Sequence, residues 1–407
     1  MSEWREVFLE DVADELTVGY VGPMASEYVP NGIPFLRSQN VEPLRVIQED
    51  IKFITPQFHK RISKSALSPG DVVIVRTGKP GACTVMPDSI PVANCSDLVI
   101  VRCGNKLDAR FLAYYVNTVA ADHVSAHLVG AVQQHFNVGS ARKLKMLLPE
   151  IGEQRAIASV LGSLDDKIEL NRRMNETLEA LAQSLFKSWF VDATQSALPK
   201  GWRESVLSEC CENIFSGGTP STQAADYWGG DIPWLSSGET RNRFIIDTEK
   251  TITSLGVENS STRPARAGST VIASAGQGHT RGQTSLLTFD SYINQSVVVL
   301  VADKSVSSDL FLFFDLARRY EQFRAMSDSQ SSRGSLTTKL LAEMKVVVPP
   351  RELISKFDET VTPMTKKIIA NLHESRTLAA LRDALLPKLL SGELRVPTQT
   401  KSEIWLK

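Results

Sequence analysis

The feature that most constrains this chain is that much of it is written twice. Lys167-Ile168-Glu169-Leu170-Asn171 returns as Lys367-Ile368-Ile369-Ala370-Asn371, a displacement of 200 residues. The same displacement carries Thr177-Leu178 onto Thr377-Leu378, Leu181 onto Leu381 and Pro149 onto Pro349. Trp4-Arg5-Glu6 answers Trp202-Arg203-Glu204, and Ile33-Pro34-Phe35-Leu36 answers Ile232-Pro233-Trp234-Leu235, with small drifts at loops. Pro69-Gly70-Asp71-Val72-Val73-Ile74 answers Ala267-Gly268-Ser269-Thr270-Val271-Ile272. A globular part followed by a helical part, repeated, forces two similar halves and suits a two-part target.

Short β-branched runs such as Asp71–Val75 and Ser296–Val301, bounded by Gly, Asn or Asp, read as strands. Phe111–Val119 and Leu310–Phe323 read as short helices. The expected fold class is α+β: two similar mixed domains, separated by two long helices that form an antiparallel, pseudo-twofold coiled coil. The implied division is 1–148 and 194–347 for the globular domains, 149–193 and 348–396 for the helical regions, and 397–407 for a tail.

The helical pattern is the sharper one. Leu161, Leu164, Ile168, Asn171, Asn175, Leu178, Ala182 and Leu185 advance by alternating threes and fours. Val361, Met364, Ile368, Asn371, Ser375, Leu378, Arg382 and Leu385 do the same. That 3.5-residue period is a left-handed coiled-coil seam, although two unrelated amphipathic helices packed on their own domains are the plainer alternative. Gly162-Ser163 and Thr362-Pro363 read as helix starts, which gives helices over about 163–191 and 363–386. Pro387 is expected to end or kink the second. A helix of about 27 residues spans roughly 40 Å, close to one turn of B-DNA at about 34–36 Å. Asn171 and Asn371 fall near the helix middles and are expected to meet, fixing register at some cost in stability.

Composition limits the function. Hydrophobic residues make 42% and charged residues 22% of the chain, the mix of a globular protein. No apolar run reaches the roughly 18–20 residues that span a bilayer, and Met1–Glu6 lacks the basic-then-apolar pattern of a signal peptide. A cytoplasmic protein with no membrane partner is expected. The net charge of −1 argues against a cationic coat, but not against nucleic-acid binding through one face. The five cysteines show no Cys-x-x-Cys spacing, so no metal site is expected.

Several motifs together resemble the specificity subunit of type I restriction–modification systems. They are Glu153-Gln154-Arg155-Ala156-Ile157-Ala158, Leu164–Asn171, Met174–Glu179, Leu185–Asp192, Leu385–Leu394 and the Pro199-Lys200-Gly201-Trp202 lead into the second domain. The second copy departs at Pro349-Pro350-Arg351-Glu352-Leu353-Ile354, which lacks the Glu-Gln-Arg run. The resemblance implies a non-catalytic subunit that reads a bipartite double-stranded DNA target, one half-site per domain. It implies helical regions that dock two modification subunits, which methylate adenine with S-adenosylmethionine. It also implies restriction subunits that use ATP and Mg. No cofactor is then expected on this chain.

The chain itself shows no methyltransferase signature and no phosphate loop. Gly276–Gly282 is Gly-rich, but its spacing is wrong for a dinucleotide fingerprint, and a polar turn fits better. Asp247-Thr248-Glu249-Lys250 faintly resembles a nuclease carboxylate cluster, and His123 and His127 lack an intervening Glu. A nucleotide-using enzyme and a protein-binding scaffold stand as rivals to DNA recognition. No catalytic residue is assigned.

Base reading needs Arg for guanine and Asn or Gln for adenine, and phosphate contacts need Arg, Lys, Ser, Thr and backbone amides. The candidate loops in the first domain are Arg37-Ser38-Gln39-Asn40, Arg76-Thr77 with Lys79, and Gln133-Gln134-His135. In the second they are Ser236-Ser237 with Arg241 and Arg243, Ser274 with Gln277, His279 and Arg281, and Ser332-Arg333. Aligned loops that keep their place while changing their side chains are what two heads reading different half-sites require.

Overall fold

The computed structural model describes residues 4–119, 136–276, 279–328 and 335–397. The chain forms two compact units, Met1–Ile168 with Thr377–Lys407, and Glu169–Arg376.

The first unit holds an antiparallel pair, Arg5–Phe8 with Lys145–Leu148. Its four-stranded sheet runs Cys83–Val85, Val72–Val75, Leu98–Arg102, Glu15–Val18. Its five-stranded sheet runs Tyr28–Val29, Lys52–Ile54, Ile33–Leu36, Ala93–Cys95, Ala66–Leu67. The second unit repeats this plan. It has the pair Arg203–Val206 with Lys345–Val348, a five-stranded sheet around Val297–Ala302 and Thr270–Ala273, and a four-stranded sheet around Trp228–Leu235 and Ser291–Ile293. Arg5 faces Leu148 and Arg203 faces Val348, so the repeat extends to strand register.

The local causes repeat as well. Val72–Val75 and Val297–Ala302 are buried along their whole length, which is why these runs show no in–out alternation. Gly70 and Gly268 precede the equivalent strands at φ +86° and +85°, a turn geometry that disfavours a side chain. At Gly268 a Cβ would also lie 2.3 Å from Asp309 Oδ2. Asp108 caps the helix Ala109–Thr118 by accepting from Phe111 N at 3.0 Å. Ser308 caps Asp309–Ala317 in the same way, also at 3.0 Å. The helix expected over Leu310–Phe323 is in fact two, Asp309–Ala317 and Tyr320–Asp328. Arg318 and Arg319 at the break both bind Asp315.

The long helices correct the expected starts. They run unbroken over Ile151–Phe186 and Arg351–Leu390. Gly162 is no cap: it makes room for Arg110, whose Nη1 would lie 2.6 Å from a Cβ there and which binds Asp166. Pro363 and Pro387 lie inside the second helix at exposed positions, where water can reach the carbonyl left without its donor. Buried Phe357, Val361 and Ile368 hold that segment helical across Pro363. The first helix continues into a wider π-type turn, Lys187–Val191.

In the second unit the two helix segments run antiparallel. Asn171 Nδ2 donates to Ser375 Oγ at 3.3 Å, while Asn175 Nδ2 reaches back to the Ile368 carbonyl at 3.5 Å. Leu178 and Leu185 are half-buried against the same core as Val361, Met364 and Ile368. Asn171 and Asn371 are fully buried; Asn371 Nδ2 donates to Asn175 Oδ1 at 2.8 Å and Asn171 Nδ2 to Glu374 Oε2 at 2.9 Å. The Oδ1 atoms of Asn171 and Asn371 have no partner. In the first unit Leu161 is buried, with Leu164 and Leu378 half-buried, and Asp165 binds Arg382 at 2.7 Å. Leu385, Leu389 and Leu390 pack into the core that holds Phe111. Near them Glu153 accepts from Trp4 Nε1 at 3.2 Å and pairs with Arg395.

Replacing both Asn171 and Asn371 with Leu should raise stability by roughly 1–3 kcal/mol, since it removes two unpaired buried acceptors. It should also loosen register, because a polar layer no longer penalises slipped pairings. Denaturation with cross-linking across the pair measures both. A lower midpoint at unchanged register contradicts the assignment.

Candidate nucleic-acid interface

Strand register gathers the candidate loops. In the first unit Ile33–Leu36 runs parallel to Ala93–Cys95 with Leu36 opposite Cys95, and Ser96 N donates to the Leu36 carbonyl at 3.0 Å. The chain turns through Ser96 and Asp97 into Leu98, which lies opposite Val75. Arg37, Arg76 and Asp97 therefore leave the sheets at one end. The second unit does the same. Leu235 lies opposite Ile293, Ala273 lies opposite Val297, and Ser274 N donates to the Ser296 carbonyl at 2.9 Å.

Within these loops the arginines face carboxylates. Arg37 Nη2 sits 3.0 Å from Asp50 Oδ2 and donates to the Asp50 carbonyl at 2.6 Å. Lys52 and Gln39 bind the same carboxylate at 2.6 and 2.9 Å. Those donors, Lys52 first and then Arg37, hold the Asp50 carboxyl down at about 2, so it stays charged at any physiological pH. Arg76 Nη1 pairs with Asp97 Oδ1 at 3.1 Å, and the Thr77 hydroxyl donates to Asp97 Oδ2. Arg241 pairs with Glu249 and Arg281 with Asp328. Ser38 and Ser237 are half-buried, and Gln39, Lys79 and His279 are exposed.

Two candidates are corrected by their surroundings. Asn40 is fully buried: its Oδ1 accepts from Arg37 N at 3.1 Å and its Nδ2 donates to the Ile47 and Glu49 carbonyls, both at 3.2 Å. It shapes the loop rather than facing outward. Glu239 does this in the second unit, accepting from Ser236 N and Glu249 N at 2.6 Å each, and burial pushes its carboxyl up. Ser274 is also buried, with both backbone groups committed. Arg243, with 35% of its side chain exposed, pairs with Glu179 of the first long helix at 2.9 Å. Gln133, Gln134, His135, Gln277, Ser332 and Arg333 lie outside the described residues.

A cleft of about 330 Å³ in the second unit brings Arg241, Arg243 and His279 together with Gln283 and Tyr320. Gln283, Tyr320 and the acidic partners were missed in the sequence, because which loop faces which is set by register. Asp50 and Glu249 had a usable signal: each lies just ahead of the equivalent strands Lys52–Ile54 and Lys250–Ile252.

The surfaces offer guanidinium, amide and hydroxyl groups. Within the acidic run singled out above, Asp247 pairs with Arg376 at 2.6 Å and Glu249 with Arg241. Burial pushes the Cys103 thiol up to about 12 and Cys210 to about 11, which makes them poor nucleophiles. Among the described residues no group of three His, Cys, Asp or Glu side chains could hold a metal ion, and no helix is long and apolar enough to cross a membrane.

Comparison with known proteins adds a consistent set of likenesses. Residues 1–180 and 199–374 match the family model described as type I restriction modification DNA specificity domain. The HindI specificity subunit of Haemophilus influenzae is 25% identical over 326 residues, which is 63% of this chain and 70% of that protein. The MjaIX specificity subunit of Methanocaldococcus jannaschii is 22% identical over 412 residues, 97% of this chain and 94% of that one. The crystal structure of a type I restriction–modification S subunit from M. genitalium shares the fold at a TM-score of 0.67 and 17% identity, covering 95% of this chain and 96% of that one.

Proposed function

The chain belongs to the type I restriction–modification DNA specificity family, and from that membership we propose that it is the DNA-recognition subunit of such a complex. Each unit reads one half of a split duplex target. One observation carries this reading. Loops at the same strand ends of both units present donors, but with different side chains: Arg37, Gln39 and Arg76 in one, Arg241, His279 and Arg281 in the other. Common placement with changed chemistry is what two different half-sites need.

The catalytic work falls to partners. Two modification subunits supply adenine methylation with S-adenosylmethionine, and restriction subunits supply ATP- and Mg-dependent cleavage. Leu170, Leu181 and Leu381 are exposed on the long helices, and they offer apolar contacts for such partners. The protein works in the cytoplasm, where its DNA is.

Mapping methylated adenines across the genome, with and without this gene, tests the reading. One split motif should lose its methylation when the gene is removed. An unchanged methylation map in a strain that carries active modification subunits would overturn it.

A further inference from the structure

In the corresponding loop of each unit an exposed acid faces candidate DNA-reading donors. In the first unit it is Asp50, just ahead of Lys52–Ile54. Its carboxylate takes Lys52 Nζ at 2.6 Å, Gln39 Nε2 at 2.9 Å and Arg37 Nη2 at 3.0 Å. Asp50 adopts φ +53°, a region that non-glycine residues enter at a cost and that functional sites favour. In that conformation Arg37 Nη2 also reaches the Asp50 carbonyl at 2.6 Å, so the bent backbone and the carboxylate serve the same cation. In the second unit the acid is Glu249, just ahead of Lys250–Ile252, and it pairs with Arg241. These groups are open to solvent: the Asp50 and Glu249 side chains are each 57% exposed, Lys52 39% and Arg241 60%. Ion pairs so exposed add little stability, so folding alone does not account for a strained residue at one of them.

We propose that Asp50 and Glu249 are specificity-determining residues: by holding Lys52 and Arg241 they deny those cations to the phosphates of the wrong DNA. The inference rests on the DNA-recognition reading above and deepens it. Loose binding to a duplex is almost wholly cation against phosphate. There an exposed carboxylate repels the backbone, and a cation that is already paired has less to offer it. On the right sequence the cation needs no release. A guanidinium has five N–H donors and an ammonium three, enough to keep the carboxylate and still donate to a base edge in the groove. Discrimination is widened by a penalty on wrong DNA, and the chain's net charge of −1 fits that design.

The test uses the chain assembled with its modification subunits. Binding is measured at several salt concentrations, to the split target found by methylation mapping and to random duplex. Glu249→Gln should bind random duplex roughly 5- to 10-fold tighter at about 0.1 M salt, the gain from one added phosphate contact, and steepen the salt slope by about one. Binding to the target should tighten far less, so the ratio between the two falls by nearly the same factor. Asp50→Asn should do likewise, and asparagine suits the positive φ, so the loop keeps its shape. The two changes lie in separate units, and their effects should multiply. Arg241→Ala combined with Glu249→Gln should cancel the gain on random duplex, because the freed cation is what binds it. Unfolding midpoints should not move in the two single variants.

Unchanged binding to random duplex in either single variant overturns the proposal for that residue. An equal rise on target and random duplex overturns it too, since the acids would then only repel DNA in general. So does weaker binding to the target alone, which would make the acids supports for base contacts. All three results leave the family reading intact. An unaltered complex with no sequence preference would overturn the family reading itself.

Discussion

Replacing Gln154 with alanine should destabilise the first unit by about 3–5 kcal/mol. The residue lies in the first turn of the first long helix and is wholly buried. Its Oε1 accepts from Asp108 N at 2.8 Å, and its Nε2 donates to the Lys106 carbonyl at 3.1 Å and the Pro149 carbonyl at 2.9 Å. One amide therefore ties the helix start to the loop that caps Ala109–Thr118. Its removal strands one N–H and two C=O groups, and each buried orphan costs about 1–3 kcal/mol. Only partial relief from entering water keeps the sum below the maximum. Denaturant unfolding, together with hydrogen exchange of the Ala109–Thr118 amides, reads the effect. A loss under about 1 kcal/mol would mean that solvent replaces all three bonds and the clasp is not structural.

Phe357→Ala should cost the second unit a similar amount, about 3–5 kcal/mol, by a different route. Phe357 is fully buried among rings. Its centroid lies 5.2 Å from Phe190, 5.5 Å from Phe186, 5.8 Å from Phe314 and 6.2 Å from Trp189, mostly edge to face. The wider turn Lys187–Val191 belongs to this packing, since it carries both Trp189 and Phe190. Truncation opens a cavity that rings on four sides cannot fill by small shifts. Trp189 and Trp202 report it directly: their fluorescence should shift to the red at lower denaturant. Phe357→Leu, nearer in volume, should cost clearly less. Equal losses for the two variants would point to the ring contacts rather than the cavity.

The contrast between these sites shows what the sequence could say. The duplication, the strand runs and the seam were legible because each depends on spacing along the chain. The second copy was also visibly missing its Glu-Gln-Arg run. What replaces it was not visible: Ile354, 200 residues from Gln154, joins an apolar core where the first copy builds a polar clasp. Helix starts at Ser163 and Thr362 were misread because local cap signals carry no information about burial. Phe357, Val361 and Ile368 keep the second helix going through Pro363, and Gly162 answers to Arg110 from another element. The candidate interface was partly legible for a similar reason. Arg37, Arg76, Arg241 and Arg281 could be found by type and by aligned position. Their acidic partners, the burial of Asn40 and the pairing of Arg243 with Glu179 are set by tertiary packing, which the linear pattern does not record.

The chain passes from the first unit to the second at Ile168–Glu169 and returns at Arg376–Thr377. On the ribosome this inverts the usual order of completion. The second unit has all its residues once Arg376 emerges, whereas the first, although begun earliest, still waits for Leu385, Leu389 and Leu390 to close over the core around Phe111. At about 5–20 residues per second, its apolar face stays open for most of synthesis. A stop codon shortly before Leu385 would therefore spoil the half that was made first.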